Sequence, residues 1–182
     1  AAAIKALREE WPQLAIVGME PAVKPALAKT KTKVIGVLAT VGTLKSAQFA
    51  ALLDKFASDT EVVMQAAPGL VECVESGDLN SNETRQLLKS FVDPLLSKNA
   101  DVIVLGCTHY PFLKKLISEL AGPGVTLIDT GAAVAKQLQK KLGEYGLLSQ
   151  SQEIGELTFY TSGQRAEVEK TISQLLQKTV IV

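Results

Sequence analysis

The sequence predicts an α/β fold with parallel strands, and three observations carry that prediction. Short apolar runs alternate with amphipathic helical stretches along the chain, which is the pattern of successive βαβ units. The clearest run, Val102-Ile-Val-Leu105, is continuously apolar, as suits a strand buried on both faces. Turn residues sit where strand candidates end, as in Gly106 and in Pro68-Gly69. Right-handed crossovers are therefore expected, with the strand C-termini sharing one edge of the sheet.

The elements follow in order. Ala1–Glu10 reads as a helix that opens without a cap, as though the chain began inside a longer polypeptide. Trp11-Pro12 breaks it. Leu14–Val17 is a short apolar strand, and Gly18-Met19-Glu20-Pro21 is a turn. Ala22–Lys29 is helical, with Pro25 limiting it. Val34–Ala39 is the next strand, and Thr40-Val41-Gly42-Thr43 is its exit loop. Ser46–Ala57 places Phe49, Leu52, Leu53 and Phe56 on one helical face. Glu61–Gln65 is a strand that ends at Ala66-Ala67-Pro68-Gly69. Leu70–Glu75 is a short helix closed by Gly77. In the polar loop Asp78–Asn82, Ser81 or Asn82 caps a helix over Glu83–Ser97, bent at Pro94.

The central strand Val102–Leu105 runs into Gly106 and Cys107. Pro111 then opens an amphipathic helical stretch, Phe112–Leu120, because proline suits the first helical position. Ala121–Gly124 is a loop and Thr126–Ile128 a strand. Asp129-Thr130-Gly131 starts the helix Ala132–Leu142. Gly143–Gly155 is a polar loop, Leu157–Tyr160 a strand, Ser162-Gly163 a turn and Gln164–Gln177 a helix. Thr179–Val182 is rich in β-formers. Turn residues cluster near Glu20 and near Asp129–Gly131, which makes these the candidate domain boundaries.

The totals exclude several classes. At 182 residues, 47% hydrophobic and 21% charged, the chain has ample material for a core. Nineteen basic residues balance nineteen acidic ones, so no basic excess points to nucleic acid. No apolar run approaches the roughly 20 residues that span a bilayer. The opening stretch carries Lys5, Arg8, Glu9 and Glu10, unlike a secretory signal. Two cysteines make no disulfide framework, so a cytoplasmic setting is expected. No Walker or dinucleotide fingerprint occurs.

The chemistry gathers at Cys107-Thr108-His109. Cys107 is placed where a strand ends and a helix begins, the edge at which open α/β sheets bind ligands. The positive end of a following helix can lower a thiol pKa. His109 is the only histidine. A Cys-x-His pair gives two metal ligands, and only Cys73 is left to extend it, so no metal is expected. Cys73 itself lies amid Leu70, Val71 and Val74 and reads as packing. Thr40 and Thr43, Glu75, and Cys107-Thr108-His109 all leave strand ends, and so converge on one crevice. Hydroxyls and helix N-terminal amides suit a carboxylate ligand; a thiol beside an imidazole suits proton transfer.

These residues resemble a known family. Leu105-Gly-Cys-Thr-His-Tyr-Pro111 is similar to the segment bearing the second catalytic cysteine of bacterial glutamate racemases, and is the most specific part of the likeness. Gly18-Met-Glu-Pro-Ala-Val-Lys-Pro25 resembles the interdomain stretch of one branch, and Ala39-Thr-Val-Gly-Thr43 the substrate loop. Pro68-Gly-Leu-Val-Glu-Cys-Val-Glu-Ser-Gly77 and Ile128-Asp-Thr-Gly131 also fit, in order, so the likeness covers nearly the whole chain.

The resemblance implies a cofactor-independent racemase that supplies D-glutamate for peptidoglycan in the cytoplasm. Two cysteines would act on opposite faces of the substrate α-carbon. Cys107 would be one base, the one that deprotonates L-glutamate, with His109 assisting it. Thr108, Thr40 and Thr43 would contact substrate, and Glu75 would support the site. The implied architecture is two pseudosymmetric parallel-sheet domains. Residues 20–129 would form one complete domain, and 1–19 with 130–182 the remnant of the other. The family's Asp-Ser-Gly, Pro-Tyr-Gly and Cys-Asn-Thr motifs do not occur here, so the first catalytic cysteine is missing and the chain alone is expected to be inactive. Such a chain is expected to form a homo-oligomer or to associate with the missing N-terminal segment, and to bind neither nucleic acid nor membrane. Three rivals remain: a racemase of aspartate or a related acid, a noncatalytic binding module using the same crevice, and a hydrolase with Cys107 as nucleophile.

Overall fold

The computed structural model describes residues 3–57, 59–151, 153 and 155–182. The first two residues of the expected helix 1–10 lie outside the described residues, as do 152 and 154 of the expected loop 143–155. The elements are α1 (Ile4–Glu10), α2 (Val23–Lys29), β1 (Val34–Ala39), α3 (Val41–Leu44), α4 (Ala47–Phe56), β2 (Glu61–Ala66), α5 (Leu70–Glu75), α6 (Asn82–Ser97) and β3 (Val102–Leu105). A 3-10 turn, Tyr110–Leu113, runs directly into α7 (Lys114–Ala121). β4 (Thr126–Ile128), α8 (Gly131–Glu144) and α9 (Arg165–Leu176) complete the order.

The four strands form one parallel sheet in the order β2-β1-β3-β4. Strand β1 is followed by β2 on one side, and the chain then returns to place β3 on the other. That reversal makes the C-terminal ends of β1 and β3 a switch point, where a crevice opens between connections leaving in different directions.

Strand periodicity sorts the core into two layers. Ile35, Val37 and Ala39 of β1 and Val102 and Val104 of β3 face Val23 and Ala26 of α2 and Phe49 of α4. Leu38 of β1 and Ile103 and Leu105 of β3 face Leu88, Val92 and Leu95 of α6, with Tyr110, Leu113 and Ile117 beyond. Both central strands are therefore buried on both faces, which is why they read as unbroken apolar runs. Gly36 opens room for α6, since a Cβ there would stand 2.8 Å from Leu95 Cδ1.

Side chains set the element boundaries. Thr40, Ser46 and Ser81 cap α3, α4 and α6 by accepting the backbone N–H three residues on. Gly77, at φ 76°, follows α5 in the left-handed region. Helix α6 runs through Pro94 to Ser97. At the opposite sheet edge, the Asp101 carboxylate accepts the Thr30 hydroxyl at 2.5 Å and the N–H groups of Lys31 and Thr32 at 2.7 and 3.2 Å.

Several expectations need correction. Leu14–Val17 and Leu157–Tyr160 are not strands, and the β-rich Thr179–Val182 joins no sheet. Extended backbone becomes a strand only where a neighbour takes its hydrogen bonds, and these segments lie alongside no strand among the described residues. The exit loop at 40–43 is instead a capped single-turn helix, α3. The helix expected from Phe112 starts as a 3-10 turn and becomes α-helical only at Lys114. Helix α8 continues to Glu144, two residues past its expected end.

The remaining helices are differently placed. Among the described residues, α1, α8 and α9 contribute none that is buried. Leu14, Leu147, Leu148 and Leu157 are all more than two-fifths exposed, and Tyr160 is 91% exposed. Tyr145 donates its hydroxyl to the Pro12 carbonyl at 3.4 Å, and the Arg8 guanidinium donates to the Ile16 carbonyl. Of these helices α9 reaches the core, through half-buried Leu175.

Candidate functional site

Cys107 occupies the switch point. It follows Gly106, whose N–H donates to the Leu38 carbonyl at 2.8 Å and carries the ladder one residue past β3. A Cβ on Gly106 would stand 2.9 Å from Ala39 Cβ and 3.3 Å from the Leu38 carbonyl oxygen. Only glycine lets the strand ends approach this closely. The next residues turn sharply, and the Tyr110 N–H closes the turn on the Cys107 carbonyl at 3.3 Å.

The turn brings three side chains into line. Cys107 Sγ lies 3.8 Å from His109 Nδ1, and His109 Nε2 lies 2.6 Å from Glu75 Oε1 at the end of α5. The Thr108 hydroxyl also stands 3.3 Å from Nδ1. A carboxylate only accepts, so Nε2 carries the proton toward Glu75 and Nδ1 offers its lone pair to the thiol and the hydroxyl. The thiol is half-buried, His109 is 29% exposed and Glu75 66% exposed. The imidazole, rather than a long α-helix, is therefore the thiol's immediate polar neighbour. The expected α-helix begins seven residues after Cys107.

Tyr110 anchors the turn from below. Its ring is fully buried, and its hydroxyl donates to the Ala67 carbonyl at 3.1 Å. Burial, and then the nearby Cys107, push this phenol above its ordinary range. Ala67 in turn donates its N–H to Ala39. One phenol thus ties the cysteine turn to the connections leaving β1 and β2. Tyr110 has no role among the sequence expectations; its signal is an aromatic residue in the short connection after β3.

The expected residues divide between two adjoining cavities. Thr40, Thr43, Cys107 and Thr108 line a crevice of about 470 Å³ at the ends of β1 and β3. Glu75 and His109 line a second cavity of about 510 Å³ beneath α9, and Thr108 borders both. Helix α9 is held over α5 by the Thr171 hydroxyl on the Glu75 carbonyl at 3.1 Å and by Gln174 Nε2 on the Gly77 carbonyl at 2.6 Å. In the first crevice Thr40 and Thr43 share a hydroxyl–hydroxyl bond of 3.0 Å. Ser46, Gln48 and Thr130 add polar lining that the sequence reading did not assign. Thr130 follows β4, so the same strand-end rule marks it.

Asp129 borders this edge as well. Its carboxylate pairs with Lys114 Nζ at 2.9 Å and accepts the Gly131 N–H at 3.1 Å. The Lys114 ammonium, against a smaller opposing effect of burial, holds it below the usual carboxylate range. Cys73 stands apart on α5, half-buried, with its carbonyl accepting the Ser76 hydroxyl and the Asp78 N–H. Among the described residues no cluster of His, Cys, Asp and Glu has metal-binding geometry. No helix among them is long and apolar enough to cross a membrane.

A thiol and an imidazole thus stand at the switch point of a parallel sheet, with the threonines Thr40 and Thr43 lining the crevice that the thiol enters. The chain belongs to the Asp/Glu/hydantoin racemase family, whose model matches residues 1–138. It is 56% identical over 176 residues to the glutamate racemase of Ectopseudomonas mendocina, covering 97% of this chain and 66% of that one. Among solved structures it resembles the glutamate racemase isoform RacE1 of Bacillus anthracis, with a TM-score of 0.82 at 29% identity over all of this chain and 69% of that one. It also resembles the Escherichia coli glutamate racemase solved with L-glutamate and the activator UDP-MurNAc-Ala, with a TM-score of 0.77 at 29% identity over 96% of this chain and 66% of that one. The chain spans 54–66% of the length of the first three curated relatives it matches.

Proposed function

We propose that this chain is the larger part of a glutamate racemase and supplies one of its two acid–base groups. The observation that carries this is the Cys107–His109–Glu75 alignment at the crevice, in a chain 56% identical to a named glutamate racemase. Cys107, as thiolate, takes the α-proton of L-glutamate; a second group on the opposite face returns one. The thiolate is the reactive form of a cysteine, and forming it needs a base to take the thiol proton. His109 is that base, and Glu75 orients it. Thr40, Thr43 and Thr108 hold the substrate carboxylates. The reading requires no cofactor.

In this proposal residues 20–129 form a complete sheet domain, and 1–19 with 130–182 belong to a second one. The exposed apolar side chains at Leu14, Leu147 and Leu157 are then covered by the rest of the polypeptide or by a second copy. The D-glutamate formed would serve peptidoglycan synthesis in the cytoplasm.

The test uses the complete polypeptide, with L- or D-glutamate in deuterated water. Inversion with α-deuterium uptake is expected, faster on glutamate than on aspartate, and lost in Cys107→Ala. Inversion that survives this substitution, or a preference for aspartate, overturns the reading.

A further inference from the structure

We propose that Cys107, His109 and Glu75 form an acyl-transfer triad that hydrolyses activated esters and thioesters of small carboxylic acids through a covalent intermediate. This goes beyond proton transfer at an α-carbon and needs no group on the opposite face. All three residues lie in this chain, so it stands or falls separately from the racemase reading.

The geometry meets the requirements of a nucleophile, a base and an orienting acid. The thiol lies 3.8 Å from Nδ1, and Nε2 lies 2.6 Å from the Glu75 carboxylate. Glu75 fixes the tautomer that leaves the Nδ1 lone pair on the sulfur side. Thr108 completes the arrangement, with its hydroxyl 3.3 Å from the same nitrogen. The backbone N–H groups of Cys107, Thr108 and His109 donate to no acceptor among the described residues. Successive backbone N–H groups free at a turn stabilise an anionic oxygen. The thiol lines the crevice of about 470 Å³, where an acyl group fits. The imidazole borders the second cavity of about 510 Å³, on the side of the turn away from the 470 Å³ crevice lining.

The chemistry balances without an outside reagent. The thiol proton passes to Nδ1 as sulfur bonds to the ester carbonyl carbon. The tetrahedral adduct expels the leaving oxygen or sulfur, which takes that proton from His109, and Cys107 is left as a thioester. Water then gives a proton to Nδ1 while its oxygen attacks the thioester carbonyl. The carbon–sulfur bond breaks, the sulfur recovers the proton, and the carboxylic acid leaves. The net reaction is ester plus water to acid plus alcohol.

The experiment mixes the 182-residue chain with 4-nitrophenyl acetate and follows nitrophenolate release, with mass spectrometry on quenched samples. The expected result is a burst followed by continued turnover, with acetyl carried transiently on Cys107. Turnover is lost in Cys107→Ala and unchanged in Cys73→Ala. In His109→Asn the acyl-enzyme accumulates and its hydrolysis slows by about tenfold or more. Circular dichroism checks that each variant is folded. A single equivalent of nitrophenolate with stable acetyl-Cys107 in the unsubstituted chain overturns the proposal whatever the variants do. So does turnover that persists in Cys107→Ala. Ester turnover in a polypeptide that exchanges no α-proton retains this proposal and removes the racemase reading; the reverse pattern removes this one alone.

Discussion

At the residue scale the short contact between His109 and Glu75 sets the order of effects. Removing a positioned acid or base costs about 10²–10⁴-fold. Cys107→Ala, which removes a base outright, is therefore expected to abolish measurable racemisation, followed by circular dichroism of glutamate. Glu75 acts through His109. A hydrogen bond to a charged group is worth about 1.5–3 kcal/mol, and the 66% exposure of Glu75 puts its share at the low end. Glu75→Gln is expected to lower kcat by about tenfold with little change in KM. A KM rise at constant kcat would instead make Glu75 a binding residue. That these side chains gather at one edge was legible from position alone, because strand ends in a parallel sheet share an edge. Their pairing was not, since Glu75 and His109 are brought together by α5 and a turn whose relative approach no local pattern encodes.

At the element scale, close packing fixes two sensitive positions. Gly106→Ala forces a Cβ against Ala39 and the Leu38 carbonyl, and is expected to cost about 1–3 kcal/mol, read as a lower melting temperature. Asp101 ties the turn before β1 to the start of β3. Burial alone would raise its pKa, but hydrogen bonds from Thr30, Lys31 and Thr32 outweigh this and hold it below the usual carboxylate range. Its stabilisation is therefore complete above its unfolded pKa of about 3.9, and is lost as pH falls through the lower folded value. Melting curves from about pH 6 down to about pH 2 should show the gap between the parent chain and Asp101→Asn close on the acid side. A gap constant with pH would contradict this. The same elements explain which strands were readable. Val34–Ala39 and Val102–Leu105 are buried on both faces and declare themselves as apolar runs. Leu14–Val17 is just as apolar and Leu157–Tyr160 is rich in β-formers, yet strand formation depends on a partner more than on propensity. The α-helix after Cys107 was misplaced because Pro111 suits the first turn of a 3-10 segment as well as that of an α-helix.

At the scale of the whole molecule the two sides differ in kind. Residues 34–128 hold the sheet, while α1, α8 and α9 carry no fully buried residue among the described ones. Clustered exposed apolar side chains mark a surface that another chain covers. The isolated 182-residue chain is expected to associate as its concentration rises, seen as growing mass in light scattering, and to stop doing so when the rest of the polypeptide is supplied. A single monomeric mass across the range would argue against that covering.

Trp11, the sole tryptophan, is 38% exposed and lines, with Pro12, Leu14 and Tyr145, a cavity that shares no residue with the Cys107 crevice. The chain's indole emission is thus a dye attached to one side only. It will shift to the blue when that side is covered, and will stay nearly silent while the sheet and the thiol crevice melt. Unfolding followed by tryptophan fluorescence and by backbone circular dichroism should give two curves that do not superimpose, even in a chain whose sheet unfolds as one unit.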